Sequence, residues 1–177
     1  MEGAGTVGAK SDYDELLGKL ESAQEAEVVE LALVAAQERL GMDASYITTM
    51  DSRIQTIHAM ISDPETVDRF QGRVFPVEQT FCLRMLGGEI PNAVPDTRAE
   101  PAVSELPGTA LFHAYVGVPV KLSDGSLHGT LCCVRRETRP ALGPDEVRFM
   151  QVLADMVAAR VDRVHGDIAR LTERFRR

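Results

Sequence analysis

The chain is 177 residues long with 44% apolar and 26% charged residues, enough for one domain with a sizeable core and too few for two of ordinary size. Its 27 acidic against 19 basic side chains leave a net charge of −8, so no general positive field exists to attract a phosphate backbone, and nucleic acid is not an expected partner. No apolar run approaches the roughly 20 residues that cross a bilayer, and the start lacks a basic stretch leading into an apolar one. A cytoplasmic protein without membrane contact is expected, and three cysteines, two of them adjacent (Cys132 and Cys133), suit the reduced thiols of that compartment.

Residues 1–11 read as a flexible tail. Two Ser-x-x-acid signals follow, Ser11 to Asp14 and Ser22 to Glu25, and the second opens an amphipathic helix that Gly41 ends. Residues 42–50 and 54–61 are rich in Ile, Thr and Tyr and flank Asp51-Ser52-Arg53, which predicts a hairpin. A short helix after Pro64, an extended piece over 74–77 and a second short helix in TFCLRMLGG come next. Four prolines in the segment from Ile90 to Pro107, the last of them Pro107 itself, predict an extended, irregular loop, and long loops in compact domains are usually functional. AYVGVPVKL and LHGTLCCV, joined by the Asp124-Gly125 turn, are apolar on both alternating faces, which predicts a central hairpin covered on both sides. Gly143-Pro144-Asp145-Glu146 then starts a helix that runs to the end. Hairpins in place of strand-helix-strand repeats point to an α+β fold, an antiparallel sheet flanked by helices.

Along that last helix Val147, Met150, Ala154, Val157, Val161, Val164, Ile168, Leu171 and Phe175 follow at steps of three and four, the spacing of a coiled-coil seam. At roughly 1.5 Å per residue the helix reaches about 46 Å, so its end should leave the body of the domain. Val164, Ile168, Leu171 and Phe175 are then left facing water unless a second helix covers them, and a parallel homodimer through Val157, Val161, Val164, Ile168, Leu171 and Phe175 is expected.

Four pieces, in this order, resemble a GAF domain: FPVEQTFC before a short helix, IPNAVPDTRAEP, the hairpin YVGVPVKLSDGSLHGTLCCV, and the helix ALGPDEVRFMQVLADMVAARV. The resemblance extends over about residues 12–165. It implies a sensor domain at 12–162, with 163–177 as a coiled-coil extension of a signalling helix. It also implies a small-molecule ligand and an output domain in cis, a cyclic-di-GMP enzyme or a histidine kinase, that these residues do not contain. The family's cavity lies between the sheet and the segments that cover it. Tyr46, His58, Phe75, Phe81, Cys82, Asp96, His113, Tyr115 and Cys132 are the candidate lining residues, with the inward strand face left open.

Each candidate also has a plainer role. Cys82, in the first turn of a short helix, is either a reactive thiol or a small buried hydrophobe, with the second favoured. Free methionine sulfoxide reductases share the GAF fold and use paired cysteines. The loop PAVSELPGTALFH has none, so a resolving partner is missing and no catalysis is expected. His113 could ligate haem iron but reads better as an ordinary strand-edge residue. His58 shares a strand face with Thr56 and Met60. Asp96 either caps the Asp-Thr-Arg turn or receives a polar ligand group. Four histidines and three cysteines offer no metal-binding spacing. An enzyme of the reductase type and a dimerisation scaffold with a vestigial pocket are the rival readings.

Overall fold

A computed structural model of the chain describes residues 6–176. The first helix, α1, is continuous from Thr6 to Leu40. Its start corrects the expectation of a tail over 1–11: residues 6–11 are helical, and 1–5 lie outside the described residues. Ser22 opens no helix. Its hydroxyl instead donates to the carbonyl of Gly18, one turn back, at 2.9 Å, the bond a serine makes inside a helix. Gly41, at φ +63°, turns the chain out into β1 (Ala44–Met50) and β2 (Ile54–Ile61). The Asp51 carboxylate accepts from the N–H groups of Arg53 and Ile54 and closes the turn between them.

Helix α2 (Pro64–Phe70) starts on Asp63, whose carboxylate accepts from the N–H of Thr66, and α3 (Phe81–Leu86) starts on Thr80. Short strands β3 (Val74–Pro76) and β4 (Ala93–Val94) precede the central hairpin β5 (Ala114–Lys121) and β6 (Leu127–Arg135). Helix α4 spans Pro144–Arg176, and the Glu146 carboxylate reaches back to the N–H of Gly143 at its start. The six strands form one antiparallel sheet in the order β3-β2-β1-β6-β5-β4, the expected class of fold.

Both faces of the sheet are covered, by different means. Ala114, Val116, Val118 and Val120 of β5, with Ile47, Leu131 and Cys133, pack under α1 and α4 against Leu33, Ala36, Leu40, Met150 and Val157. The alternate residues Tyr46, Ile57, Met60, Tyr115, Cys132 and Val134 meet α3 and the 90–112 loop through Phe81, Cys82, Met85, Val94, Val103 and Phe112. The β2 pattern is interrupted at His58, the residue left over where Ile47 pairs with Ala59 and Thr48 with Ile57. That bulge advances the strand by one residue, so Gln55, Ile57 and Met60 turn inward and His58 outward.

Helix α1 runs antiparallel beside α4. Arg39 stands over the ring of Phe149 near one end, and Arg160 bonds to Gln24 further along. This arrangement revises the seam. Val157, Val161 and Val164 are at most 3% exposed within the single chain, so they are not open to a partner, and α1 supplies the neighbouring helix that the sequence left unassigned. Ile168 is half-buried and Leu171 is 37% exposed, while the side chain of Phe175 lies outside the described residues.

Candidate functional site

On the face away from α1 and α4 lies a cavity of about 540 Å³. Its floor comes from β1, β2 and β6 through Tyr46, Gln55, Ile57, Met60 and Val134, and its walls from α2, β3, α3 and the turn at 107–112. The surrounding segments are shaped by local chemistry. Leu106 precedes a 3-10 turn, Pro107–Ala110, and Thr109 fastens it by donating to the carbonyl of Val103 at 2.7 Å. Rings of Phe70, Phe75, Phe81 and Phe112 border the space, with Phe70 and Phe112 5.9 Å apart between centroids. Gln55 is 4% exposed, and its Oε1 accepts no hydrogen bond from the described residues. Among the described residues Arg69 and Arg73 are the only charged ones in the lining, and neither forms an ion pair with another described residue.

Beneath the cavity, fully buried, lies a cluster of thiols and hydroxyls. Cys82 Sγ is 3.3 Å from Cys132 Sγ and 3.4 Å from Thr130 Oγ1, and Tyr115 Oη is 3.5 Å from Cys132 Sγ. Gly117, two residues along β5, leaves the space that the Tyr115 hydroxyl occupies; a Cβ there would collide with it. Hydrogen bonds from Cys132, Thr130 and Tyr115 draw the Cys82 thiol below its ordinary range against the opposing effect of burial. Burial pushes Cys132, Cys133, Tyr46 and Tyr115 up. The pairing corrects the expectation that Cys82 lacks a partner: the partner comes from the central strand, 50 residues away, and not from the loop. Neither sulfur is accessible, each residue being 0% exposed.

The nine sequence-predicted residues therefore separate into three groups. Tyr46, Phe75 and Phe81 line the cavity. Cys82, Tyr115 and Cys132 lie together under it, in contact with one another but outside its lining. His58, Asp96 and His113 stand away from it: the bulge turns His58 outward onto Thr49, 2.6 Å away, and Asp96 caps its own turn and pairs with Arg98 at 3.1 Å, which lowers its pKa. His113 is half-buried at the edge of β5, with its backbone bonded to Arg135 and Thr97. Sequence reasoning missed Gln55, Arg69, Arg73, Phe70 and Phe112. The one available signal was Gln55, an amide among the Ile, Thr and Met of a strand. No group of three or more His, Cys, Asp or Glu among the described residues is placed to hold a metal, and no described helix is long and apolar enough to cross a membrane.

Comparison with known proteins places this architecture, a sheet with helices on one face and a covered cavity on the other, in one family. The family model for the GAF domain matches residues 25–161, and the chain belongs to that family. It is 27% identical over 156 residues to a cyclic di-GMP phosphodiesterase of Pseudomonas aeruginosa, covering 86% of this chain but 25% of that protein. The chain thus spans about a quarter of the length of that curated relative. Among solved structures, the PixJ GAF domain of Thermosynechococcus elongatus, in its blue-light absorbing form, superimposes with a TM-score of 0.69 at 19% identity, over 86% of this chain and 94% of that one. Free methionine-R-sulfoxide reductase from Neisseria meningitidis, in complex with its substrate, has a TM-score of 0.58 at 18% identity, over 85% and 90%. At these identities the two structures establish the fold alone.

Proposed function

We propose that this chain is the non-catalytic sensor module of a larger bacterial signalling protein, cytoplasmic, in which a small molecule occupies the cavity and its occupancy reaches an output domain in cis through α4. The observation that carries this reading is the cavity itself: about 540 Å³, bordered by rings, with an unsatisfied buried acceptor in its floor. A cyclic-di-GMP enzyme is the favoured output, on the likeness to the Pseudomonas protein, with a histidine kinase second. The strands under the cavity also contact the signalling helix, since Cys132 faces the cavity side and Cys133 lies 3.9 Å from Met150 of α4. The β5–β6 turn is tied to α4 by the N–H of Ser123 on Asp162. A ligand that favours one packing of the cavity wall would bias α4 through these contacts.

A ligand binding only the folded state at 100 times its dissociation constant adds about 2.7 kcal/mol to stability, which a thermal-shift screen detects. Native mass spectrometry of freshly purified chain should show a retained small molecule. Bare mass together with no stabilising compound would overturn the reading in favour of a scaffold with a vestigial pocket.

The Cys82–Cys132 contact favours one rival, a sulfoxide reductase. Burial of both sulfurs speaks against it, and we expect no turnover; steady reduction of free methionine sulfoxide, lost in Cys82→Ser, would establish that enzyme instead. The homodimer remains part of the proposal, with a changed surface. Leu31 of α1 and Val152 and Met156 of α4 are 57–66% exposed, and with Ile168 and Leu171 they supply the apolar area a second copy would cover. Sedimentation at tens of micromolar should give a dimer that Met156→Asp weakens; a monomer would refute it.

A further inference from the structure

We infer that the molecule this cavity takes is a flat aromatic acid: a ring system whose N–H or O–H donates to Gln55 on the floor and whose carboxylate or phosphate meets Arg69 and Arg73 at the mouth. The inference rests on the reading of the cavity as a ligand site, and three independent features define the class.

The first is the floor. Gln55 is held in β2, paired with Phe75 of β3 and Met50 of β1; its side chain lines the cavity floor, and its Oε1 is buried and accepts no hydrogen bond from the described residues. A buried amide oxygen left without a donor is destabilising, so a ligand N–H or O–H that reaches it gains what an apolar atom cannot. The second is charge. The chain carries a net −8, yet the lining holds two arginines and no carboxylate. Five of the chain's nine aromatic residues border this space, and without the arginines such a cage would suit a cation. With Arg69 and Arg73 at its rim the sign is reversed, and their guanidinium forks match a carboxylate or phosphate. The third is shape. Rings of Phe70, Phe75, Phe81 and Phe112 offer faces and edges to a planar partner.

The strand register sets the scale. Arg73 accepts from the N–H of Ile57 through its carbonyl, so it stands two residues along β2 from Gln55, roughly 7 Å at about 3.4 Å per residue. One ring or two fused rings carrying an acid on a short arm span that interval. Arg73 and Arg69 are exposed, so the acid stays partly in water while the ring is buried.

The test is isothermal titration of the whole chain with indole-3-acetate, 4-hydroxyphenylacetate and guanosine 5′-monophosphate. The controls are indole-3-acetamide and guanosine, which lack the acid, and glutarate, which lacks the ring. The aromatic anions should bind at least tenfold more tightly than the controls, and the carboxylate and phosphate arms tell which acid the arginines take. Arg73→Gln should weaken the aromatic anions tenfold or more and leave the neutral compounds unchanged. Gln55→Leu should weaken them similarly while raising the melting temperature of the ligand-free chain, because it removes the unsatisfied acceptor; a merely structural glutamine would lower it. Equal binding of glutarate or of the neutral compounds overturns the inference, as does a Gln55→Leu chain that is less stable but binds normally. If none of the aromatic anions binds at millimolar concentration the class is wrong. A retained molecule of another class in native mass spectrometry, or a stabilising compound of another class in the thermal-shift screen, would then preserve the sensor reading, whereas bare mass with no stabilising compound would remove both.

Discussion

The two faces of the sheet are made from alternate residues of the same strands, and they are built to opposite ends. Toward α1 and α4, β5 presents Ala114, Val116, Val118 and Val120, all 0% exposed, and packs in one core with Leu33, Ala36 and Met150. Toward α3 and the 90–112 loop, the same strand presents Tyr115 and then Gly117, and its neighbours contribute Cys132 and Tyr46. There the packing encloses open volume, sulfur and hydroxyl groups in place of hydrocarbon, and one buried acceptor without a donor. Close packing of small and branched side chains stabilises the first face; the second forgoes some of that stabilisation to keep a shaped space.

The comparison can be broken most directly by truncating one side chain on each face. Leu33→Ala removes a fully buried side chain from the packed face and should cost about 2–5 kcal/mol in urea denaturation. Phe75→Ala, half-buried at the edge of open volume, should cost about 1 kcal/mol. Equal losses would mean that both faces are packed alike.

Next in size, Gly117→Ala should cost about 1–3 kcal/mol, because the added methyl displaces the Tyr115 hydroxyl from against Cys132. The same substitution should speed modification of Cys82 and Cys132 by Ellman's reagent. In the unaltered chain all three thiols should stay unreactive until urea is added, since each is 0% exposed; a fast-reacting thiol in native protein would contradict the burial described above.

The smallest expected effect lies outside both faces, where His128 sits near Glu25, His165 and His58. Burial lowers its pKa, against the pull of Glu25, so the folded chain keeps the ring neutral where the unfolded chain protonates it. Its contribution is present above the unfolded value of about 6.5 and is lost as pH falls through the lowered folded one. His128→Asn should therefore flatten the decline in melting temperature just below neutral pH; an unchanged profile would show that His128 is not its source.

Elements whose signals are local were legible in the sequence. The short helices after Pro64 and in TFCLRMLGG and the turn at Asp124-Gly125 were expected from neighbouring residues alone; the structure adds the Asp63 and Thr80 caps that start the two helices, and Gly125 takes φ +83° as such a turn requires. The two-sided burial of β5 and β6 was also readable, because it follows from alternation alone. What could not be read depends on pairing at a distance. The bulge at His58 belongs to the register between β1 and β2, so Thr56, His58 and Met60 looked like one face until that register was known. Cys82 and Cys132 meet across 50 residues. Gln55 and Arg73 enter one cavity through the β2–β3 pairing, and no spacing rule links them. The seam of α4 was visible as a pattern, but the helix beside it, α1, is in the same chain.

The central claim, that the open face holds a small molecule on Gln55, is tested most directly by a crystal structure of the purified chain at a resolution that shows bound molecules. The account predicts an ordered ring in the 540 Å³ cavity, with a donor within hydrogen-bond distance of Gln55 Oε1 and an acid group at Arg69 and Arg73. A cavity closed by inward movement of Phe70, Phe75 and Phe112, with Gln55 satisfied by the protein itself, would contradict it.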